Sequence, residues 1–198
     1  MYNDRAVYYK RLEEKRNSKV IVYVTGDRPG LETKIANDIY EYFAEQLEKI
    51  GETEKITLYM ITRGGDVLTA WSLVNLMYQY SSRLEVIVPS KCHSSGTLIC
   101  LGAEKIVMTK AATLGPIDPS ITHPLNPQIP GAPQEAKISV SVESIEGYVQ
   151  MIKEKFGANP ENEKAVIEAL SEKVHPLVLG QVYRTKGQIK MLAEKLLK

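Results

Sequence analysis

The sequence of 198 residues predicts an α/β fold with a mainly parallel sheet and a helical C-terminal part, within a single domain over 1–198. Short apolar runs rich in β-branched residues alternate with segments whose apolar residues recur every three to four positions. Glycine-containing turns separate several of these pieces. The runs are almost continuously apolar, which is typical of strands in a sheet covered on both faces. Strands that alternate with helices in this way are joined by parallel crossovers.

Four strands and three helices are predicted in the first 110 residues. The strands are "KVIVYVT" (19–25), "KITLYMI" (55–61), "LEVIVP" (84–89) and "KIVM" (105–108). The first helix is predicted from Leu31 to near Gly51, because Leu31, Ile35, Ile39, Phe43 and Leu47 recur every four residues. The second is predicted over 67–77 and the third over 95–103. Residues 19–120 therefore form the predicted α/β core.

Composition changes after this core. Six of the ten prolines fall between Pro116 and Pro133, so we predict a proline-rich loop over 119–137. A loop this long is usually functional or mobile. Residues 141–198 are predicted to be helical. Asn159 and Pro160 are the expected N-cap and first residue of one helix, and two later glycines weaken the pattern of the last.

The overall composition argues against several classes of protein. A hydrophobic fraction of 43% and a charged fraction of 25% are typical of soluble globular proteins. A net charge of +1 argues against a general nucleic-acid binder, and the basic cluster at 10–19 is predicted to be a solvated helix face. No apolar run reaches the length of a membrane span. The N-terminus lacks an apolar secretory core, so a cytoplasmic location is expected.

No cofactor or metal is predicted. Cys92 and Cys100, with His93, match no compact zinc motif, and the two cysteines are expected to be buried, reduced thiols. The "TGDRPG" turn lacks the lysine of a phosphate-binding loop, so a simple turn is the better interpretation.

Two turns could carry chemistry, since each follows a strand and leads into a helix. They are Gly64-Gly65 and Ser94-Ser95-Gly96, and the carboxyl ends of parallel strands are where ligand sites form. A serine at such a turn exposes its hydroxyl, and the helix start offers unpaired N–H groups. One N–H from the glycine turn and one from the residue after the serine would form an oxyanion hole. On local chemistry alone, plain helix capping by the serines is the more common role.

Five segments resemble one family. "GDRPGLET", "TRGGD", "HSSGTLICLGA", "LGPIDP" and "HPLVLG" are similar to signatures of the serine dehydrogenase proteinase family. The order of pieces over 19–120 also resembles ClpP proteases and signal peptide peptidase A, within the ClpP/crotonase superfamily. The resemblance implies repeated ββα units, hydrolysis of peptide bonds in a peptide or protein substrate, and a homo-oligomer, often built on trimers.

The resemblance also implies roles for particular residues. Ser94 matches the nucleophile, because glycine then stands two positions later as in the ClpP pattern. Gly64 and the N–H of Ser95 match the oxyanion donors, with Gly65 assisting. The doubled serine leaves Ser95 as an alternative nucleophile, one position along.

The sequence lacks a histidine at the position where ClpP proteases have their general base. ClpP takes a histidine from the segment that reads "LGPIDPS" here, which contains none. Lys137 could serve as in the Ser–Lys peptidases, and His123 in the proline-rich loop is the other candidate, although each could also be an ordinary surface residue. Asp118 is a poor base unless its surroundings raise its pKa.

Two further histidines have weaker claims. His93 precedes Ser94 directly, and adjacent side chains at a sharp turn usually diverge. His175 is predicted to be a helix-start or interface residue.

Two other functions stay open. One is a non-catalytic assembly or binding protein of the same fold that lacks a working base. The other is a crotonase-type acyl-CoA enzyme, which should carry a catalytic carboxylate and a pocket for CoA.

Overall fold

The computed structural model describes residues 2–118, 120–133 and 135–197. These residues form two compact units. The first unit comprises the described residues up to Ile117 together with those from Leu192 onward, and the second comprises Asp118–Met191. The predicted limit of the α/β core, at residue 120, falls beside this division. The single domain over 1–198 stays a prediction.

The first unit contains the predicted alternation of strands and helices. Its elements are α1 (Tyr2–Arg16), β1 (Lys19–Val24), α2 (Ile39–Ile50), β2 (Thr53–Ile61), α3 (Val67–Tyr80), β3 (Ser81–Val88), β4 (Lys91–Cys92), α4 (Ser95–Leu101), β5 (Lys105–Met108) and β6 (Thr113–Leu114). The four predicted strands correspond to β1, β2, β3 and β5. The two-residue strands β4 and β6 were too short to be predicted from periodicity.

The main sheet has the order β1-β2-β3-β5, and every neighbouring pair is parallel. The mainly parallel α/β fold is thereby confirmed. Because all four strands run in one direction, the segments that follow them emerge at one edge of the sheet. At that edge β4 pairs in parallel with β6, and Thr62 forms an isolated parallel bridge with Cys92.

One face of the sheet carries the core. Register places Leu58 beside both Ile21 and Val86, and these residues are buried with apolar side chains of α2, α3 and α4. The expectation that both faces are covered is wrong for part of the sheet. On the opposite face of the edge strand β1, Val22 and Val24 are 37% and 54% exposed.

The helix predicted from Leu31 begins only at Ile39. Ile35, which belongs to the apolar period, is 1% exposed but forms an isolated parallel bridge with Gly65. Its N–H donates to Gly64 O at 2.9 Å, and its carbonyl accepts the N–H of Asp66 at 2.7 Å. A helix would have used these backbone groups internally. Ile35 therefore lies in an extended segment that pairs with the glycine turn, although its position in the sequence fits the period of a helix.

The second unit contains the short strands β7 (Ser120–Ile121) and β8 (Val140–Ser141), followed by α5 (Val142–Phe156), α6 (Pro160–Lys173) and α7 (Pro176–Leu196), whose last residues belong to the first unit. The helical C-terminal part is as predicted. Asn159 caps α6 by accepting the N–H of Asn162, and Pro160 stands in its first turn. Helix α7 continues through both of its glycines.

The predicted proline-rich loop is mostly irregular, with a little antiparallel pairing. β7 pairs with β8, and Gln128 forms a bridge with Lys137. Asn126 is 3% exposed and its amide donates to the carbonyls of Ile121 and Ile138 at 2.6 and 2.9 Å. Positions 119 and 134 of the predicted loop lie outside the described residues.

Across the described parts of the chain, none of the helices is both long and apolar enough to cross a membrane.

One member of the basic cluster at 10–19 has a structural role that charge patterning did not predict. Arg16, at the end of α1, binds the carboxylate of Glu85 through two nitrogens. Glu85 lies on β3 and is 3% exposed, and it also accepts a hydrogen bond from Thr57 Oγ1 at 3.2 Å. The hydrogen bonds from Arg16 lower the pKa of the Glu85 carboxyl. Helix α1 is therefore attached to the sheet by a largely buried ion pair.

Replacing Arg16 with alanine should reduce the free energy of unfolding by about 2 to 3 kcal/mol, because it removes charge-assisted hydrogen bonds from a buried carboxylate. Arg83→Ala is the matched control. It breaks an ion pair with Glu104 in which both side chains are about half exposed, and should cost about 1 kcal/mol or less. Urea denaturation at neutral pH measures both. Equal effects of the two changes would contradict the structural role of Arg16.

The difference in the free energy of unfolding between wild type and Arg16→Ala should depend on pH. Since the folded-state pKa of Glu85 lies below its unfolded value, the pair contributes fully above the unfolded pKa. The contribution is lost as pH falls through the folded pKa, so wild type and Arg16→Ala should converge in acid.

Candidate active site

The glycine turn after β2 lies directly against the start of α4. A β-carbon on Gly64 would stand 2.6 Å from His93 O, 2.7 Å from Ser94 Cβ and 3.1 Å from the backbone nitrogen of Ser95. Gly64 also has φ +98°, a conformation that favours glycine. The two turns singled out in the sequence therefore meet in the first unit, and only a residue without a side chain allows this contact.

Ser94 has the backbone of a strained turn. Its φ is +53° and its ψ is −124°, and it shares a positive φ only with Asn17 among the described non-glycine residues. It occupies the N-cap position of α4, yet its side chain makes no capping hydrogen bond. Helix capping, the other role predicted for this serine, therefore does not explain why a serine occupies the position. Strain of this kind persists where the surroundings fix the backbone, and it is common at functional sites.

Ser95 differs from Ser94 in its surroundings. Its side chain is 0% exposed, and its Oγ has no hydrogen-bond partner among the described residues. A hydroxyl sealed from solvent cannot reach a substrate in this conformation. The N–H of Ser95 lies in the first turn of α4, where helices have no internal acceptor for it.

The amide groups around Ser94 are not equally available. The N–H of Gly64, the donor implied by the family resemblance, already donates to Thr62 Oγ1 at 3.0 Å. Within the described part of the chain, the N–H groups of Gly65 and Ser95 have no acceptor. Two uncommitted N–H groups, one from each turn, are the arrangement that can stabilise an oxyanion.

Charged residues surround the segments that lead to both turns. Asp27 follows β1 and binds Lys91 Nζ, while Arg63 Nε stands 3.7 Å from Asp27 Oδ2. The hydrogen bond and charge of Lys91, with a smaller contribution from Arg63, lower the pKa of Asp27. This cluster connects the loop after β1 to the residue before Gly64 and to the strand that leads to Ser94.

The groups next to Ser94 have structural partners of their own. His93 Nε2 lies 2.9 Å from Thr113 Oγ1, and its ring packs so closely on Gly115 that a β-carbon there would be 2.8 Å from it. Cys92 and Cys100 are fully buried, with their sulfurs 3.6 Å apart. Their hydrogen bond and their burial raise the pKa of Cys92. The described residues contain no cluster of three or more groups able to hold a metal ion.

The two candidate bases lie in the second unit, where they line the same depression of about 620 Å³ together with Thr122, Pro124 and Glu135. His123 Nδ1 accepts the N–H of Leu125 at 3.1 Å. A neutral imidazole then carries its proton on Nε2, which leaves no free nitrogen to accept another. Lys137 is half-buried, and its ammonium has no ion-pair or hydrogen-bond partner among the described residues.

The remaining titratable candidates have structural partners. Asp118 accepts hydrogen bonds from Ser141 Oγ and from the N–H of Glu143, at 2.9 and 3.2 Å, at the start of α5. His175 Nδ1 accepts the N–H of Leu177 at the start of α7, as predicted for a helix-start residue.

Sequence reasoning missed Thr62, which binds the glycine turn, and the role of Ile35 in holding it. The only available signal was the position of Thr62 at the end of an apolar strand, two residues before the glycine pair.

Gly64→Ala should destabilise the protein far more than Gly30→Ala. Both positions have positive φ, at +98° and +75°, but a β-carbon at Gly30 meets nothing within 4 Å. The control should lose about 1 to 2 kcal/mol for its backbone conformation, whereas Gly64→Ala must also displace the start of α4. Chemical denaturation of both variants tests this. Similar losses would contradict the close contact between the turns.

Comparison with known proteins identifies the family of the chain. Residues 1–138 match the family described as ClpP-like SDH-type serine proteinase. Two uncharacterised proteins of Methanocaldococcus jannaschii are similar to the chain. One is 34% identical over 121 residues, covering 57% of this chain and 41% of its own length. The other is 29% identical over 120 residues, covering 57% and 40%. The chain thus spans about two fifths of the length of these relatives.

Among solved structures, the chain is similar to a mutant of the membrane-bound stomatin-specific protease 1510-N, with 20% identity and a TM-score of 0.42 over 75% of this chain and 69% of the other. The family match covers more than half of the sequence. The chain therefore belongs to the ClpP-like, SDH-type family of serine proteinases.

Proposed function

We propose that this protein is a serine peptidase in which Ser94 is the nucleophile and the N–H groups of Gly65 and Ser95 form the oxyanion hole. Membership of a serine proteinase family supports the reaction class. The observation that carries the residue assignment is the close contact of Gly64 with Ser94. Each of the two turns that meet there has one N–H without an acceptor among the described residues. Gly64 itself supplies space rather than a donor.

The geometry of the turn supports Gly65 as the donor. The peptide unit between Gly64 and Gly65 is planar and trans, so its C=O and N–H point in opposite directions. Gly64 O accepts the N–H of Ile35. The N–H of Gly65 is therefore directed away from Ile35.

We assign the base to Lys137. His123 is disfavoured by its hydrogen bond from Leu125, which places the proton on the wrong nitrogen. A lysine amine accepts a proton only when neutral, a form that desolvation favours. In the proposed reaction Ser94 Oγ bonds to the peptide carbonyl carbon and its proton passes to the neutral amine of the base. The resulting ammonium protonates the leaving amine as the C–N bond breaks, and water then hydrolyses the acyl-enzyme.

We also propose a substrate class, an assembly state and a location for the protein. The substrate is a peptide or protein, and the protein assembles as a homo-oligomer in the cytoplasm. No nucleic acid or cofactor enters the proposed reaction.

A fluorophosphonate probe tests the nucleophile. Wild type should be labelled at Ser94, as located by mass spectrometry of peptides, and Ser94→Ala should not react. Ser95→Ala should still be labelled, because alanine keeps the backbone N–H. Loss of labelling in Ser95→Ala with survival in Ser94→Ala would move the nucleophile by one residue. Absence of labelling in wild type would favour the non-catalytic alternative.

The base is tested by rates of peptide hydrolysis. Lys137→Ala should lower kcat by about 10²-fold or more, the usual contribution of a general base. His123→Ala should have a smaller effect. Lys164→Ala, an exposed lysine paired with Glu168 on α6, is the control and should match wild type. Full activity of Lys137→Ala would remove lysine from the mechanism.

A further inference from the structure

Thr62 stands at the junction of the two turns. It follows β2 directly and is 1% exposed. Its Oγ1 accepts two hydrogen bonds of 3.0 Å, from the N–H of Gly64 and from Thr25 Oγ1. The hydroxyl therefore fixes the peptide unit that precedes Gly64.

The backbone of Thr62 holds the other half of the site. Its N–H donates to Lys91 O, and its carbonyl accepts the N–H of His93, both at 3.1 Å. These bonds pair Thr62 with the strand that leads directly into Ser94. The methyl group of Thr62 lies against α4, because a β-carbon on Gly96 would be 2.5 Å from Thr62 Cγ2.

Thr62 and Ile35 together fix the two peptide units on either side of Gly64. Thr62 Oγ1 binds the N–H of the first unit, and Ile35 binds the carbonyl of the second. The direction of the Gly65 N–H depends on both. Gly64 has a positive φ and no side chain, so nothing intrinsic to the turn would keep it in this conformation.

We propose that Thr62 is a positioning residue for the oxyanion hole: its hydroxyl aims the glycine turn while its backbone and methyl group hold the Ser94 segment beside that turn. This inference rests on the proposed peptidase function. Thr62 contacts no reacting atom, and it acts through Gly64 and through the alignment of the Gly65 and Ser95 N–H groups. Thr25 supports it by donating to the same oxygen.

Substitutions at Thr62 separate its hydroxyl from its methyl group. Thr62→Val keeps the shape but leaves the N–H of Gly64 without an acceptor, whereas Thr62→Ser keeps the acceptor. The matched control is Thr57→Val, in the strand β2 that Thr62 follows. Thr57 is also fully buried, but its hydroxyl binds Ser18 and Glu85 rather than the turn.

The readouts are kcat and KM for a fluorescent unstructured protein substrate, the Ki of a peptide boronate that forms a tetrahedral adduct, and the free energy of unfolding. Thr62→Val should lower kcat about 10-fold, less than the loss of a whole oxyanion donor, and should raise the boronate Ki by a similar factor while KM stays within about 2-fold. Thr62→Ser should stay within about 3-fold of wild-type kcat. Thr57→Val should lose stability but retain kcat and Ki.

Each outcome decides the inference. Wild-type kcat and Ki in a folded Thr62→Val protein would overturn it while the Ser94-dependent reaction stood. The same would follow if Thr57→Val lost as much kcat as Thr62→Val, since both losses would then reflect stability alone. If Thr62→Val does not fold, Thr62→Ser and Thr25→Val decide: the inference requires near-normal kcat in the first and a raised boronate Ki in the second. A wild type without any Ser94-dependent reaction would overturn the proposed function itself.

Discussion

The site depends on one steric constraint: residue 64 cannot carry a β-carbon, because that carbon would collide with residues 93–95. Because the glycine turn approaches that closely, it lies directly against the start of α4, and each of the two turns has an N–H without an acceptor among the described residues. Gly64 and Ser94, the residues that meet at this contact, both have a positive φ. A side chain at position 64 would separate the turns and with them the two halves of the proposed oxyanion hole.

The parallel sheet makes this contact possible. β2 and β3 are neighbours and run in the same direction, so the segments after them leave the sheet together. Thr62 bridges these segments through its backbone, and Ile35 anchors the outer side of the turn. Hydrogen bonds, rather than side-chain packing alone, therefore set the direction of the N–H groups. This explains why buried hydroxyl groups lie beside the turn in an otherwise apolar core.

The sequence predicts the scaffold well because the scaffold follows from local rules. β-branched runs gave the four strands of the main sheet, and Asn159 with Pro160 gave the start of α6. The helical period wrongly places Ile35 in a helix, because its apolar side chain fits that period while its backbone pairs with a turn distant in sequence. Gly64 was expected to donate its N–H, and only the position of Thr62 Oγ1 shows that this donor is already used. The hydrogen bond from the Leu125 N–H to His123 Nδ1 is likewise a contact that no spacing reveals.

A crystal structure of the protein reacted with a peptide boronate would test the central claim most directly. The account predicts a covalent bond from Ser94 Oγ to boron, with one boronate oxygen about 2.7 to 3.1 Å from the backbone nitrogens of both Gly65 and Ser95. The Gly64 N–H should remain on Thr62 Oγ1. A bond to Ser95 Oγ, or a boronate oxygen held by the Gly64 N–H instead, would contradict it.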